Sequence, residues 1–578
     1  MTGPAAPKDP EKARPYFYIL KDKDIFGERQ KDGTGIQFIY ESDGRLINSA
    51  QITGNVTDKE ELRLLETVEG FGRLVHSIGV SVETDRPEET AEFVFQMYGK
   101  KDLYGGGTNL TTSLKCDGME HRIYLSDYRW TEDDHVPGQI KILFAAPERM
   151  GKVSVRLFLN DGYEAPPEEE DLVIDMHSEE YCGMISRSLL QLGNPYRIRK
   201  AIEKSKAGKE VTLAYIGGSI TQGAGAIPIH TECYAYKSFQ LFQNRFSTQN
   251  NVRFIKAGVG GTPSELGMIR FDRDVLREGE RPDIVVIEFA VNDEGDETKG
   301  VCYESLVRKV LKLPWKPAVV LLFSVFANDW NLQERLRPVG DLYDLPMVSI
   351  RDAVTPQFSL KCGEGRILSK NQFFYDIFHP NNTGHTIMAD CLQYLFERCD
   401  AAEPARVGTF VEGMTEEQIL SEKLSGPAVI GADFERIFLL DKKNRYVGAK
   451  IRAGSFTSTD IELQSVEMDG SLTQTPEFPY NWMYDGSRPQ MPGFEMEITC
   501  KSLFLIFKDS GEMDVGKANV FVNDVYCMTA DPHKNNWLHC NAVLLFWETE
   551  SRSHKVRIAV TEEDRNKKFT ILGFGYTI

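Results

Sequence analysis

The sequence predicts a central α/β domain, with a parallel sheet covered by helices on both faces, between two β-sandwich domains. Three observations support this fold class. The middle of the chain alternates near-continuous apolar runs with amphipathic helical patterns, as proteins with buried parallel sheets do. Both flanking parts alternate apolar and polar residues in short runs separated by turn residues. At about 150 residues per domain, the 578 residues leave room for three or four domains.

The first flanking part, residues 1–170, carries strand patterns such as AEFVFQMYG, GQIKILFAA and KVSVRLFLND. It ends between Glu164 and Leu172, where two prolines and an acidic run interrupt any regular element. The other flanking part, residues 404–578, opens with a short helical pattern near Glu416 to Lys423. Strand patterns such as KSLFLIFKDS and NAVLLFWETE follow it, and we expect a β-sandwich in each part.

Residues 171–403 form the predicted α/β domain. A stretch with helical spacing, SEEYCGMISRSLLQLGNPYRIRKAIEKSKAG, leads into the first strand pattern, VTLAYI. The runs VRFIKAG, PDIVVIEFA and AVVLLFSVFA predict further strands, and HTIMADCLQYLFERC predicts the last helix. Ligands of such sheets bind at the carboxyl ends of the strands, so the loops after the strands are the places to look for chemistry.

Charge and composition disfavour several classes of function. The chain has 86 acidic and 67 basic residues and a net charge of −19, which disfavours nucleic acid and anionic membranes as partners. No apolar run reaches the roughly 18 residues of a membrane span. No secretory signal is visible, so we expect a cytoplasmic protein unless an export signal was removed. The 10 cysteines contain no CxxC pair, which predicts reduced thiols, and we expect neither a metal nor another cofactor.

Four loops carry residues with chemical potential. Ser219 follows a Gly-Gly pair, residues 260–261 are a second Gly-Gly pair, Asn292 follows the third strand pattern, and residues 376–379 (DIFH) precede the last helix. Taken singly, such residues fit a helix cap, a turn or a structural histidine. Together they supply a nucleophile, a base, a carboxylate that orients the base, and donors for an oxyanion.

In this order and spacing the residues resemble the SGNH hydrolases (the GDSL esterase superfamily) over about Val211 to Arg398. GGSIT matches the first block with Ser219, although Gly218 replaces the usual aspartate. GVGGT matches the second block with Gly261, AVND matches the third with Asn292, and DIFHP matches the fifth completely. The resemblance implies a flavodoxin-like, three-layer α/β/α hydrolase domain.

Chemistry and resemblance assign the same roles. A serine hydroxyl needs an adjacent base, so Ser219 would be the nucleophile and His379 would take its proton. Asp376, three residues before the histidine, would orient the imidazole and stabilise its charged form. The expected oxyanion donors are two backbone N–H groups and one side-chain amide, those of Ser219, Gly261 (with Gly260 as a close competitor) and Asn292.

Motifs of other protein classes do not fit this sequence. The pattern around the serine ends in Thr221 instead of glycine, which disfavours the α/β-hydrolase elbow GxSxG. A dinucleotide fingerprint that begins at Gly258 is broken by Pro263. Acidic residues near the third strand lack ordered ligand spacing, and we expect a solvated acidic loop at Glu288, Asp293, Glu294, Asp296 and Glu297.

Aromatic residues and the three-part layout suggest the substrate. Because sugars stack on aromatic rings, we predict saccharide contacts, with core packing as the competing interpretation, for Trp330, Tyr480, Trp482, Tyr484 and Trp537. The layout resembles SGNH carbohydrate esterases that remove acetyl groups, which implies an acetylated oligosaccharide of the mannan or xylan class and leaves a homo-oligomer open. Two alternatives stay open: a lipase or thioesterase acting on longer acyl esters, and a carbohydrate-binding protein with an inactive hydrolase core.

Overall fold

The computed structural model describes residues 12–40, 45–53, 58–101, 105–168, 170–402 and 414–578. The predicted boundary at residues 403 and 404 lies outside these ranges. No helix within them is long and apolar enough to cross a membrane. Nor do they contain a group of three His, Cys, Asp or Glu side chains placed to hold a metal ion. The 10 cysteines are free, and most of them are buried.

The first part is a sandwich of two antiparallel sheets. The first sheet consists of β1 (Tyr16–Phe26), β4 (Val75–Thr84), β7 (His121–Tyr124) and β9 (Met150–Leu159), in the order β1-β9-β4-β7. The second sheet consists of β2 (Glu28–Arg29), β3 (Gly35–Tyr40), β5 (Thr90–Gly99), β6 (Asn109–Lys115) and β8 (Asp134–Phe144), in the order β2-β3-β8-β5-β6. Alternate side chains from both sheets, such as Val80 and Phe93, fill one core. The strand patterns did not predict the helices α1 (Arg45–Thr53), α2 (Lys59–Arg63) and α3 (Val68–Leu74).

The middle part is built on a six-stranded sheet. Its strands are β10 (Leu189–Gln191), β11 (Val211–Gly217), β12 (Val252–Gly258), β13 (Ile284–Glu288), β14 (Ala318–Phe323) and β15 (Met347–Ser349). Their order is β10-β15-β14-β13-β11-β12, and every neighbouring pair is parallel except β10 with β15. The five parallel strands therefore follow the flavodoxin-like order, with the second strand along the chain outside the first. The predicted fold class is confirmed.

Helices cover both faces of this sheet. They are α4 (Glu179–Ser186), α5 (Tyr196–Lys206), α6 (Ser219–Gln222), α7 (Ile229–Glu232), α8 (Tyr234–Phe246), α9 (Ser264–Phe271), α10 (Val301–Leu311), α11 (Gln333–Tyr343), α12 (Ile350–Phe358), α13 (Lys370–Phe373) and α14 (Asn382–Ala401). Side chains of β11 alternate between two cores, because Leu213 and Tyr215 face α5, α8 and α14 whereas Ala214 and Ile216 face α9 and α10. The stretch leading into the domain is not one helix, since β10 separates α4 from α5 and pairs with the free edge of β15.

The third part opens with α15 (Glu416–Ser425), as predicted, and continues as an all-β domain. Its strands are β16 (Phe438–Leu440), β17 (Ala449–Arg452), β18 (Ser465–Glu467), β19 (Gln474–Pro476), β20 (Trp482–Tyr484), β21 (Phe494–Asp509), β22 (Ala518–Val522), β23 (Val525–Ala530), β24 (His539–Val560) and β25 (Phe569–Thr577). The long strands β21 and β24 pair with each other, and a register shift near Cys500 separates the half of β21 that pairs with β17 from the half that pairs with β25.

Both flanking parts contact the middle one. Phe434 and Phe504 of the third part share a core with Phe289, which follows β13. On the other side, the buried Lys23 ammonium of β1 donates to the Phe374 carbonyl, and the Tyr375 ring packs against the core of the first sandwich. Because Phe374 and Tyr375 directly precede the DIFHP segment, the first sandwich supports one of the loops that carry candidate site residues.

Candidate active site

The sheet topology gathers the predicted residues at one place. In an open parallel sheet the ligand crevice lies outside the carboxyl ends of the strands, where the strand order reverses. Here that reversal falls at β11, between β12 and β13. Gly217, Gly258 and Glu288, at the ends of these three strands, are paired in register. Ser219 follows β11 and Asn292 follows β13, so both emerge at the reversal point.

A hydrogen-bonded row joins the three predicted catalytic side chains. His379 Nε2 lies 2.9 Å from Ser219 Oγ. His379 Nδ1 lies 2.9 and 3.0 Å from the two carboxylate oxygens of Asp376. A carboxylate only accepts, so Nδ1 carries the proton, and the serine hydroxyl donates to Nε2. The Asp376 Oδ1 atom also accepts the backbone N–H groups of Phe378 and His379 at 2.8 and 2.9 Å, which fixes the carboxylate.

The nucleophile loop places Ser219 at the first residue of the one-turn helix α6. The N–H groups in the first turn of a helix have no intrahelical acceptor, so the Ser219 N–H is available to a ligand. The turn closes at Gly223, whose φ of 109° suits glycine. Gly225, at φ 86°, lets the loop approach the histidine segment, because an added Cβ would lie 2.1 Å from the Pro380 carbonyl oxygen.

The Asn292 side chain occupies the space that an ordinary residue at position 218 would need. A Cβ on Gly218 would lie 2.2 Å from Asn292 Oδ1 and 2.7 Å from Nδ2. The Oδ1 atom is buried and receives no hydrogen bond from the described residues. The Nδ2 group has no acceptor among them either, which leaves it free to donate to a substrate. The absence of a side chain at Gly218 thus makes room for the amide beside Ser219.

The two glycines after β12 differ in their hydrogen bonds. The Gly260 N–H donates to Gln222 Oε1 at 3.0 Å, so it is already occupied. The Gly261 N–H has no acceptor in the described part of the chain, and its φ of 71° is in the left-handed region. This difference favours Gly261 over Gly260 as the oxyanion donor.

A buried arginine holds the strand ends under these loops. The Arg270 guanidinium, fully buried in α9, donates to the carbonyls of Gly217 at 2.8 Å and Ala257 at 2.7 Å. It also forms an ion pair with Asp274 at 3.0 Å. Charged partners lower the pKa of Asp274 despite its burial. Arg270 therefore pins β11 and β12 together where the nucleophile loop begins.

Two further buried groups lie near the triad. Burial raises the pKa of Glu288 to about 7, and its Oε2 accepts the Thr221 hydroxyl at 3.2 Å. Burial lowers the pKa of His385 to about 3. Its neutral ring accepts the Tyr234 N–H and donates to the Ala224 carbonyl, both at 3.1 Å. His385 therefore links the start of α8 to the nucleophile loop.

The prediction of a solvated acidic loop after β13 is wrong for three of its five members. The side chains of Glu288, Asp293 and Asp296 are completely buried. Asp293 accepts the Ser264 N–H at the start of α9, and Asp296 accepts the Thr298 and Gly300 N–H groups before α10. The Asp293 and Asp296 side chains thus accept backbone donors at helix starts, which stabilises them in the buried site.

Aromatic rings extend from the histidine side of the site. The Phe378 ring, 38% exposed, lies 6.1 Å from the His379 ring and 5.1 Å from the Phe326 ring. Phe326 in turn stacks on Trp330 at 5.8 Å. The structure therefore connects Trp330 to the triad through two rings that sequence reasoning missed, although Phe378 adjoins the histidine in the DIFHP motif.

The expectation that Trp482 and Tyr484 bind substrate is corrected. They are 5% and 4% exposed and pack in the core of the third part, because both lie on β20, which pairs with β25. Tyr480 is exposed, with the Lys443 ammonium 5.2 Å from its ring centre. Trp537 is half-exposed and lies against Gly261, where an added Cβ would meet its ring at 2.8 Å. Trp537 of the third part therefore borders the glycine loop.

Comparisons with known proteins identify a family and solved structures that this chain resembles. Residues 215–387 match the GDSL-like lipase/acylhydrolase family. Curated proteins gave no match. Two structures show a two-domain esterase (CEX) active on acetylated mannans, and one of them was co-crystallised with mannopentaose. They align with this chain at 24% and 23% identity and a TM-score of 0.53. Each alignment covers 68% of this chain and 98% of that chain. A catalytic mutant of Axe2, an acetylxylan esterase from Geobacillus stearothermophilus, aligns at 18% identity and a TM-score of 0.27 over 33% of this chain and 95% of that chain.

The middle part is a hydrolase domain of the SGNH class, and residues 215–387 within it match the GDSL-like lipase/acylhydrolase family. The protein is an esterase that carries a β-rich domain on either side of this hydrolase domain.

Proposed function

We propose that the protein is a serine esterase that removes O-acetyl groups from acetylated oligosaccharides of the mannan or xylan class. One observation carries this proposal: Ser219, His379 and Asp376 form a continuous hydrogen-bonded row at the reversal point of the sheet. The Ser219, Gly261 and Asn292 donors, which have no acceptor among the described residues, follow the three strands that meet at this point.

The reaction begins with transfer of the Ser219 proton to His379 Nε2 as Oγ attacks the ester carbonyl. The imidazolium that forms is stabilised by Asp376, which stays ionised. Negative charge develops on the carbonyl oxygen, and the donors of Ser219, Gly261 and Asn292 stabilise it. Each such donor contributes about 3 kcal/mol to transition-state stabilisation.

Collapse of the tetrahedral intermediate breaks the bond to the leaving alcohol, which takes the proton from His379 Nε2. Water then attacks the acyl-enzyme, with His379 again as the base, and releases the acid. Because the histidine protonates the leaving oxygen, the alcohol must lie on the histidine side of the site. Phe378, Phe326 and Trp330 border that side and offer apolar ring faces on which a sugar can stack.

Two things support acetylated saccharides as the substrate class. The aligned two-domain esterase is described as active on acetylated mannans, and the third part brings Trp537 to the glycine loop, as a domain that contacts a bound saccharide would. The proposal includes a preference for acetyl over longer acyl groups and a sugar of the mannan or xylan class.

The test is mass spectrometry of acetylated manno- and xylo-oligosaccharides before and after incubation, with NMR to locate each lost acetyl group. We expect loss of acetyl mass with wild type and none with Ser219→Ala. Turnover of octanoyl over acetyl esters would instead support the lipase or thioesterase alternative. Saccharide binding without any ester turnover would support an inactive hydrolase core and contradict the proposal.

A further inference from the structure

A buried glutamine of the third part holds the glycine loop of the active site. Gln464, 8% exposed, directly precedes β18, and its Nε2 donates to the Gly260 carbonyl at 2.9 Å. Its Oε1 accepts the Cys540 N–H at 2.9 Å. A backbone N–H can only donate, so this contact fixes the orientation of the amide and leaves its nitrogen facing Gly260.

The carbonyl that Gln464 holds belongs to the same peptide group as the Gly261 N–H. A trans peptide is planar, and its C=O and N–H point in opposite directions. By binding the carbonyl on one side, Gln464 sets the direction in which the Gly261 N–H points on the other. The same segment is held at its start, where the Gly260 N–H donates to Gln222.

The next carbonyl is held from the third part as well. His539 Nε2 lies 3.1 Å from the Gly261 carbonyl oxygen and must donate to it. The other ring nitrogen lies 3.3 Å from an oxygen of Asp509, which is completely buried. Two consecutive carbonyls of a glycine pair, which has little conformational preference of its own, are thus fixed by side chains of another domain.

We propose that Gln464 is a positioning residue that aims the Gly261 N–H at the oxyanion, with His539 holding the next peptide. The third part then completes the catalytic centre in addition to any binding of saccharide. This inference rests on the proposed function. Removal of one oxyanion donor typically lowers kcat by about 100- to 1,000-fold, so loss of its positioning should lower kcat by up to about 100-fold with little change in KM.

The experiment uses the isosteric change Gln464→Glu in the full-length chain. An ionised carboxylate still accepts the Cys540 N–H but cannot donate to the Gly260 carbonyl, whereas a protonated carboxyl can. The ratio of variant to wild-type kcat on p-nitrophenyl acetate should therefore fall as pH rises and the new carboxyl ionises. KM should stay near the wild-type value at each pH.

Asn481→Asp is the matched control. Asn481 is fully buried in the same domain, its Oδ1 accepts the Asp460 N–H at 2.8 Å, and its Nδ2 donates to the Asp460 and Phe478 carbonyls. The same amide-to-carboxyl change occurs there without a contact to the glycine loop. We expect a lower unfolding temperature but a wild-type kcat in the folded protein at every pH.

A wild-type kcat for Gln464→Glu across the pH range, or equal losses of kcat in both variants, would overturn the proposal. Should Gln464→Glu not fold, Gln464→Met offers an uncharged side chain of similar length without a donor. Its kcat should fall by a similar factor at all pH values, and an unchanged kcat would overturn the proposal. Failure of the serine-esterase mechanism shows differently, because wild type itself would then neither hydrolyse the ester nor react with a serine-directed phosphonate.

Discussion

Replacing the buried Glu288 carboxyl with an amide, Glu288→Gln, should make the middle domain more stable at alkaline pH. Burial raises the pKa of Glu288 from 4.5 to about 7, so the folded state binds this proton more tightly than the unfolded state does. The contribution of Glu288 to the free energy of unfolding is complete below its ordinary pKa of 4.5. It is lost as pH rises towards the pKa of about 7 in the folded state. At about 1.4 kcal/mol for each pH unit, the loss amounts to about 3 kcal/mol.

Glutamine is neutral at every pH and can still accept the Thr221 hydroxyl at the position of Oε2. The free energy of unfolding of the variant should therefore equal that of wild type near pH 4. Above about pH 8 it should exceed the wild-type value by up to about 3 kcal/mol. Hydrogen exchange of the β11 and β13 amides, measured by mass spectrometry at both pH values, reports the opening of this domain directly. A difference in protection that does not change with pH, or a less stable variant at alkaline pH, would refute the assignment of Glu288 as a buried acid.

Three further substitutions test parts of the site. Asp376→Asn should lower kcat by about 10,000-fold at a nearly unchanged unfolding temperature, because an amide facing Nδ1 favours the wrong tautomer of the histidine; steady-state kinetics and calorimetry check this. Gly218→Ala should displace the Asn292 amide and lower kcat by about 100-fold or more, whereas Gly295→Ala, whose added Cβ meets nothing within 4 Å, should retain wild-type kcat. Arg270→Met should destabilise the protein by about 3–5 kcal/mol, since it removes the donor of two buried strand-end carbonyls and one of the two arginine partners of the buried Asp274; urea unfolding midpoints measure this loss, and a much smaller loss would contradict the role given to Arg270.

The central sheet and the loops after its strands were predictable because local patterns determine them. Buried parallel strands are apolar throughout, and polar residues placed directly after them stand out. The family motifs then placed Ser219, Asn292 and His379 in order along the chain. Parallel pairing brings the carboxyl ends of the strands together, so the sequence positions translated into a shared site.

Contacts between distant segments were not predictable from these patterns. Gln464 and His539 lie more than two hundred residues after the glycines they hold, and nothing in their local sequence indicates that partner. The same limit explains why the prediction of saccharide contacts for Trp482 and Tyr484 was wrong. A Trp-Met-Tyr run suits both an exposed sugar-binding surface and the buried strand that these residues form. Burial of Asp293 depends on a backbone donor of α9 that only folding brings near.

The central claim is that Ser219 is the nucleophile activated by His379. The most direct measurement is peptide mapping by mass spectrometry after reaction with a serine-directed phosphonate, in parallel with ester turnover. We predict one adduct, located on Ser219, appearing as turnover is lost, and no adduct with Ser219→Ala. Loss of turnover with an adduct on another residue, or full ester hydrolysis by Ser219→Ala, would contradict the claim.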